Sequence, residues 1–215
     1  MNKNHLYILQ KGTNIWNSWI EENPQLEIDL RGIYGLNLDL QGINLEKADL
    51  RGSYLVGAFL EGANLVGANL SGVDLKGANL NNANLTDAHL VGSNLREVNL
   101  KGALLTRAFL NGVYLNAANL DESDLRQADL RGAILEGASM TNANLREADL
   151  RRCQFEGANL EGSLLIDAIL QDQGQDHLII WENFYNNSNT VESKPEENLV
   201  AQNLSHLKTL AQNAC

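Results

Sequence analysis

The side chains that most often perform catalysis or bind metal ions are few in this chain of 215 residues, and they lie far apart. The two cysteines form neither a Cys-x-x-Cys pair nor another metal-ligand spacing. No Gly-x-x-x-x-Gly-Lys-Ser/Thr segment indicates a phosphate-binding loop. The histidines and cysteines are His5, His89, His177, His206, Cys153 and Cys215. Their spacing predicts no catalytic residue, no metal site and no cofactor.

Carboxylates are numerous, with 27 Asp and Glu residues against 16 Lys and Arg, but they recur at regular intervals. General acid–base catalysis requires carboxyl groups in a cleft that shifts their pKa values. Regularly spaced carboxylates on a convex surface meet no such environment. We therefore expect that the protein is not an enzyme.

The acidic excess and the apolar pattern also bear on partners and location. The net charge of −11 argues against direct binding to nucleic-acid phosphates, which needs a surplus of Lys and Arg. No apolar stretch approaches the ~18 residues of a membrane span, and the N-terminus lacks the apolar run of a signal peptide. Two cysteines are too few for a disulfide scaffold, which favours a reducing compartment. We expect a cytoplasmic protein that binds no membrane and no nucleic acid directly.

A repeat of five residues sets the positions of all these side chains. From residue 28 to residue 172, every fifth residue is Leu at 26 of 29 positions, and the exceptions are Gly35, Met140 and Phe155. Two residues after each of these positions stands a Gly in 15 of the 29 cases. A period of five fits neither an α-helix nor a strand. It predicts a chain that turns a corner every five residues, with Gly at the turn position that needs a positive φ.

A coil with four such corners would align residues that are 20 positions apart. The segment Asp-Leu-Arg occurs at 29–31, 49–51, 129–131 and 149–151, which differ by multiples of 20. Six corner glycines recur at the same interval, at positions 32, 52, 72, 92, 112 and 132. The sequence therefore predicts an all-β solenoid, a quadrilateral β-helix of about seven coils. Backbone groups would pair between coils ~4.8 Å apart.

The same columns predict the hydrophobic core. The Leu column points inward beside a column of alanine-sized residues, so the interior is a stack of aliphatic side chains. Burying one Leu contributes roughly 1.5–3 kcal/mol. Cys153 falls in the small-residue column, which indicates a buried substitute for Ala. Representative core residues are Leu50, Leu70, Leu95, Leu120 and Leu145.

These columns resemble the pentapeptide repeat proteins, whose motif is Ala-(Asp/Asn)-Leu-x-x, over residues 28–172. The resemblance implies a right-handed quadrilateral β-helix, the repeat-five-residue fold. The N-terminal segment is similar to the cap of many cyanobacterial members, which carry Trp-Asn-x-Trp followed by Asn-Pro. In this chain these elements are the segment 16–19, with Trp16 and Trp19, and the dipeptide Asn23-Pro24.

Residues 1–27 are expected to close the first end of the β-helix. The pattern predicts one helix that begins after Thr13 or Asn14 as N-cap and stops at about Glu22. An apolar face on this helix would lie over the first coil. The members of that face are Ile15, Trp16, Trp19 and Ile20.

Residues 173–215 are expected to form a C-terminal region with three parts. An apolar cap that includes Trp181 comes first, and a flexible polar linker follows over residues 186–198. Residues 199–213 then show the spacing of a short amphipathic helix. Such a helix is marginal by itself, so it either packs on the β-helix or pairs with a copy of itself in a homodimer.

Aromatic residues in outward columns form the candidate interaction surface. Tyr34 and Tyr54 are 20 positions apart, so we expect their rings to stack near one end, with Tyr114 three coils further along. An exposed aromatic patch is typical of a binding site. The alternatives are stacking that only stabilises one side, or cover by the C-terminal segment. The candidates are Tyr34, Tyr54, Phe59, Phe109 and Tyr114.

Two functions are compatible with this architecture. A rigid rod with an extended regular surface favours a scaffold or interaction module for an unknown protein partner. The alternative is mimicry of DNA, because the resemblance includes members that imitate DNA and act on DNA gyrase. Residues 28–172 hold 19 acidic and 12 basic residues, a net charge of only −7, and the Asp-Leu-Arg segments place Asp beside Arg. A mimic needs an acidic stripe, so the interaction module is the preferred interpretation.

Overall fold

The computed structural model describes residues 1–170. From residue 28 onward the chain alternates short extended sides with two-residue turns. Each outward residue forms a parallel bridge to the residue 20 positions later, from Asp29 with Asp49 to Asp149 with Ile169. One coil therefore contains 20 residues and four sides. The expectations for Trp181, Cys215, the linker and the helix at 199–213 lie outside the described residues.

Each side carries one column of outward residues and takes its name from the first residue of that column. The columns are Asp29, Asp49, Asn69, His89, Phe109, Asp129, Asp149 and Ile169; Tyr34, Tyr54, Asp74, Asn94, Tyr114, Ile134 and Gln154; Asp39, Phe59, Asn79, Asn99, Asn119, Ser139 and Asn159; and Asn44, Asn64, Asn84, Leu104, Asp124, Asn144 and Leu164. The four sides follow one another in this order around the coil. Each side is one bridge wide, so none of the described residues forms a longer strand.

The corners are β-turns with a left-handed residue in third position. In one such turn the Ala63 N–H donates to the Leu60 C=O over 3.0 Å, and the third residue, Gly62, has φ +64°. This confirms the positive φ that the sequence predicts. Non-glycine residues adopt the same conformation at many corners, for example Ala117 with φ +54° and Arg107 with φ +57°. Glycine therefore marks only part of the turns.

The interior is filled by the Leu column and the small-residue column. All five representative leucines, Leu50 to Leu145, are at most 1% exposed. Polar members of the small column are satisfied within the wall, since the Ser93 hydroxyl donates to the Leu70 C=O over 2.7 Å. The Cys153 thiol is buried and donates to the Leu130 C=O over 3.0 Å. Burial raises the pKa of this thiol to about 12.

Two helices precede the coils, α1 over Lys3–Leu9 and α2 over Thr13–Glu22. The sequence predicted one helix and missed α1, which is only 7 residues long. Its first turn is stabilised by the Asn2 side chain, which accepts from the Asn4 N–H over 2.9 Å. Neither helix is long and apolar enough to cross a membrane, and residues 1–170 contain no other.

The predicted start and apolar face of α2 need two corrections. The N-cap is Gly12, with φ +96° and no side-chain cap bond, because Thr13 already belongs to the helix. Ile15 is 51% exposed and lies off the buried face. Trp16 is fully buried, and Trp19 and Ile20 pack against the core while partly exposed. The Trp16 indole N–H donates to the Asn44 C=O over 2.7 Å, which anchors α2 on the Asn44 side of the first coil.

Candidate interaction surface

Apolar side chains meet at one corner of the first two coils, between the Tyr34 side and the Asp39 side. The rings of Tyr34 and Tyr54 stack with centroids 4.9 Å apart and planes 5° apart. Tyr34 is 75% exposed because no coil precedes it. Leu36 and Val56 occupy the adjoining corner one above the other, and Phe59 begins the next side. We refer to these five residues as the N-terminal apolar patch.

Leu36 and Val56 are not among the residues predicted from the sequence, although they connect the three aromatic residues across the corner. Leu36 is half exposed and Val56 is half-buried. Their backbones are in register, because the Asn37 N–H next to Leu36 donates to the Val56 C=O over 2.9 Å. The sequence feature that could have identified Leu36 and Val56 is their spacing, because they are two apolar residues 20 positions apart at a turn position that is otherwise mostly polar.

The structure does not bring the remaining candidates to this patch. Phe109 lies on the Asp29 side, where its ring stacks on the exposed His89 with centroids 4.5 Å apart. Tyr114 lies on the Tyr34 side, three coils beyond Tyr54, and the Arg96 guanidinium covers its ring at 4.4 Å. The five aromatic residues predicted from the sequence are therefore distributed over three sides, and only Tyr34, Tyr54 and Phe59 share a corner.

A second apolar group lies at mid-length but is divided by charge. Leu104 and Phe109 are each about two-fifths exposed on adjoining sides. The corner between them carries Arg107, which donates to the Asp87 carboxylate over 2.7 Å with two of its nitrogens. A partner that covered both apolar residues would have to desolvate this ion pair. The N-terminal apolar patch is bordered by Asp39 next to Phe59 and by Asp74 next to Tyr54, but no ion pair lies between its five residues, so it is the more favourable contact surface.

The Asp29 side and its following corner are lined by aspartate–arginine pairs. Arg51 binds Asp49 over 2.7 Å, and Arg151 binds Asp149 in the same way. The Arg51 side chain holds the pKa of the Asp49 carboxyl below its usual range, against the opposing effect of partial burial. These pairs neutralise most of the charge along this side, as the Asp-Leu-Arg segments predicted.

A half-open groove of about 400 Å³ lies at the corner after the Asp29 side. Among the described residues that line it there is no carboxylate, histidine or cysteine, and the Arg131 guanidinium is held by Asp129. The lining residues are Asn111, Arg131, Gly132, Arg151 and Arg152. Among residues 1–170, no three His, Cys, Asp or Glu side chains are grouped to hold a metal ion.

Asparagines recur on the Asp39 and Asn44 sides, and some of their side chains are bonded between coils. On the Asp39 side the Asn99 amide donates to the Asn79 side-chain oxygen over 3.2 Å, and on the Asn44 side Asn64 donates to Asn44 over 3.1 Å. Many of these side-chain oxygens also accept from the N–H two residues later, as Asn79 does from Asn81 over 3.2 Å. Because these amides already have partners in the wall, covering them would bring a ligand few new hydrogen bonds.

Comparison with known proteins agrees with this architecture. The sequence pattern of the family described as pentapeptide repeats matches in eight copies, over residues 43–82, 83–121, 108–146, 123–162 and 143–172. No curated protein matches the chain.

Several solved structures are similar to this chain. HetL, a pentapeptide repeat protein involved in heterocyst differentiation regulation from the cyanobacterium Nostoc sp. strain PCC 7120, is 33% identical. That match covers 67% of this chain and 77% of HetL, with a TM-score of 0.36. Rfr23, a pentapeptide repeat protein from the cyanobacterium Cyanothece 51142, is 22% identical over 72% of this chain and 97% of its own, with a TM-score of 0.42. A trypsin-treated form of QnrB1, a plasmid-mediated fluoroquinolone resistance protein, is 16% identical over 78% and 98%, with a TM-score of 0.49.

Proposed function

The chain belongs to the pentapeptide repeat family, and from this premise we propose that it is a non-enzymatic protein–protein interaction module. In this proposal a rigid β-helix, right-handed and of about seven coils, presents its surface to a protein partner in the cytoplasm. Residues 199–213, for which the sequence predicts an amphipathic helix, are a second proposed contact, through which two copies would associate.

The observation that carries the proposal is the N-terminal apolar patch. Tyr34 and Leu36 are more than half exposed, and Tyr54 and Phe59 are more than one-third exposed on the same corner. Aromatic residues at the centre of an interface contribute most of the binding energy in many complexes. Scattered exposed apolar residues are ordinary on a protein surface, but a contiguous group surrounded by polar residues indicates a contact site.

The polar remainder of the rod supports a passive role for the other surfaces. Several asparagine side chains are bonded within the wall there, and aspartates on the Asp29 side are paired with arginines. Water must be removed from such groups at a cost that new contacts hardly offset. A partner would therefore bind most strongly where Tyr34, Leu36 and Phe59 provide apolar area without that cost.

Capture of proteins from the native cytoplasm by the immobilised full-length chain tests this proposal. The test variant combines Tyr34→Ser with Leu36→Ser, and the matched control is Tyr114→Ser, which removes an aromatic residue from the same side four coils away. We expect the patch variant to reduce the amount of the captured partner at least tenfold and the control to retain it. Thermal unfolding of all three proteins verifies that the fold is intact. Equal capture by the wild type and the patch variant would contradict the proposal.

A further inference from the structure

The first coil of the β-helix has no preceding coil to pair with its four sides, and the N-terminal segment closes two of them. On the Asn44 side, the Asn44 N–H donates to the Asn17 side-chain oxygen over 2.8 Å, and its C=O accepts from the Trp16 indole over 2.7 Å. On the Asp29 side, the Asp29 N–H donates to the His5 ring nitrogen Nδ1 over 3.1 Å, and its C=O accepts from the Asn2 N–H over 3.1 Å. In both cases the cap supplies one acceptor and one donor, as a preceding coil would.

The other two sides of the first coil are not closed in this way. Within the described part of the chain, nothing hydrogen-bonds to the backbone N–H or C=O of Tyr34, or to those of Asp39. The side chains next to this edge are Tyr34 and Leu36, both exposed, and Leu38, which is only half-buried although it lies in a core column. Unpaired backbone groups beside apolar side chains form an edge on which another strand can pair.

We propose that this open edge binds an extended segment of a partner protein as an added side of the β-helix. The inference rests on the proposed function, because it specifies how the protein partner is recognised at the same end of the rod. Main-chain hydrogen bonds would provide affinity, and the side chains around Tyr34 would provide selectivity.

The register of such a segment follows from the ladder inside the protein. The Tyr54 N–H donates to the Ile33 C=O over 2.8 Å, and the Gly35 N–H donates to the Tyr54 C=O over 2.8 Å. We call the residue of the partner segment that lies opposite Tyr34 its central residue. By the same pattern, the Tyr34 N–H would donate to the C=O of the residue before the central residue, and the Tyr34 C=O would accept from the N–H of the residue after it. The central side chain would then lie on the open face of the Tyr34 ring, which favours an aromatic or arginine side chain.

The shape of this end selects a single extended segment over the flat end of another β-helix. Helix α2 is held on the Asn44 side by Trp16 and Asn17, and the segment around α1 is held on the Asp29 side. A helix has a diameter of about 10 Å with its side chains, so these elements stand above the plane of the edge. A second rod with a flat end would meet them before it reached Tyr34, whereas one strand fits beside them.

A synthetic peptide with the sequence of residues 50–58 is a probe with the correct register. In the protein its Leu55 N–H donates to the Asp74 C=O over 2.7 Å and its Ser53 C=O accepts from the Asp74 N–H over 3.0 Å, which are the two bonds that the peptide would make with Tyr34. Binding of the labelled peptide to the full-length chain would be measured by fluorescence anisotropy. The control peptide is N-methylated at the leucine after tyrosine, which removes the N–H that donates to the Tyr34 C=O and leaves every side chain in place. We expect N-methylation to weaken binding roughly tenfold.

A protein variant tests the same contact from the other partner. Tyr34→Pro removes the free N–H, and proline is tolerated where the N–H of an edge strand makes no bond. Tyr34→Ala keeps the N–H and, like Tyr34→Pro, lacks the ring. We expect Tyr34→Pro to bind the peptide at least tenfold more weakly than Tyr34→Ala, with both variants melting at similar temperatures.

Amide hydrogen exchange of Tyr34 and Asp39 in the full chain separates the other occupants. We expect both amides to exchange fast in the free protein and slowly after the peptide is added. Protection at every concentration without peptide would assign the edge to residues 171–215 of the same chain. Protection that rises with protein concentration would assign it to a second copy. Either result overturns the inference, and so does equal affinity of the two peptides.

If the peptide test fails while Tyr34→Ser with Leu36→Ser still loses its cytoplasmic partner, only the strand-pairing inference fails and the proposed function stands.

Discussion

If an inward leucine is truncated, the neighbouring side chains cannot move into the space it leaves, because the coils above and below hold them in place. Leu95 is fully buried in the middle of the stack. We expect Leu95→Ala to lower the free energy of unfolding by about 2–5 kcal/mol, since the cavity stays open. Leu104→Ala is the matched control, because Leu104 points outward and is 43% exposed. We expect this control to cost less than about 1 kcal/mol. Urea unfolding of both variants measures the difference, and similar losses would contradict the assignment of the inward column.

The buried thiol of Cys153 provides a probe of the same core. Burial raises its pKa to about 12, so the reactive thiolate is almost absent at neutral pH. We expect iodoacetamide to leave Cys153 unmodified in the native protein and to modify it fully in denaturant, with peptide mapping separating it from Cys215. Rapid modification under native conditions would show that the coil around Leu130 opens easily.

The aspartate–arginine pairs make stability depend on acid. The Arg151 side chain holds the pKa of the Asp149 carboxyl below its usual value, with partial burial opposing this effect. A carboxyl whose pKa is lowered by folding stabilises the protein above its unfolded pKa of about 3.9, and this contribution is lost as pH falls through the folded pKa. We expect the free energy of unfolding to fall with pH below about 4, and less steeply in Arg151→Gln. Parallel pH profiles would show that the pair contributes nothing, as many exposed pairs do.

At the scale of the turns, one corner column offers a direct comparison of residue types. Gly77 and Ala117 stand at equivalent positions two coils apart, with φ +65° and +54°. A side chain in the left-handed region costs roughly 1–2 kcal/mol, and part of this is offset by the greater freedom of unfolded glycine. We expect Ala117→Gly to stabilise the protein by about 1 kcal/mol and Gly77→Ala to destabilise it by a similar amount. No atom lies within 4 Å of a Cβ built on Gly77, so the backbone alone decides the result. Thermal unfolding measures both changes, and equal effects of the same sign would refute the interpretation.

The elements that the sequence predicted are those fixed by the repeat itself. Spacings of five and 20 residues determine which side chains point inward and which are stacked, so the column of Leu95 and the pairing of Tyr34 with Tyr54 followed from counting. The cap has no such constraint. Helix α1 is too short for a clear apolar period, and Gly12, the N-cap of α2, offers no side-chain cap to recognise. The contacts of His5 with the first coil depend on tertiary packing, which no local pattern indicates.

The candidate surface could be predicted only in part for a related reason. The aromatic residues were visible as exceptions in polar columns, but which of them share a corner depends on assigning each to one of four sides. Phe59 and Phe109 are 50 residues apart, so they fall on opposite sides of the coil. Leu36 was overlooked because it stands at a turn, where apolar residues carry no periodic signal. Composition alone gave no indication that the cap leaves the edge at Tyr34 open.

At the scale of the whole molecule, the arrangement of charge over residues 1–170 favours the proposed interaction module over a mimic of DNA. The chain has a net charge of −11, yet Arg51, Arg131 and Arg151 lie against aspartates along one side. The Asp39 and Asn44 sides carry mainly asparagine, with one aspartate each, Asp39 and Asp124. A DNA duplex carries one negative charge per ~1.7 Å of its axis, and no described side approaches an unbroken acidic column of that density. A protein that competes with DNA would need such a column to attract the basic channel of its target.

This distribution leads to a definite expectation for DNA gyrase. We expect the full-length protein at micromolar concentration to leave the supercoiling of relaxed plasmid unchanged at low salt, where charge-based binding is strongest. A fluoroquinolone provides the positive control for inhibition in the same assay. The variant Arg51→Gln with Arg131→Gln unmasks Asp49 and Asp129 and so makes the Asp29 side more acidic. Inhibition by this variant but not by the wild type would show that the arginines suppress mimicry. Inhibition by the wild type that disappears as salt is raised would instead establish the protein as a DNA mimic, and would move the functional surface from the N-terminal apolar patch to the acidic sides.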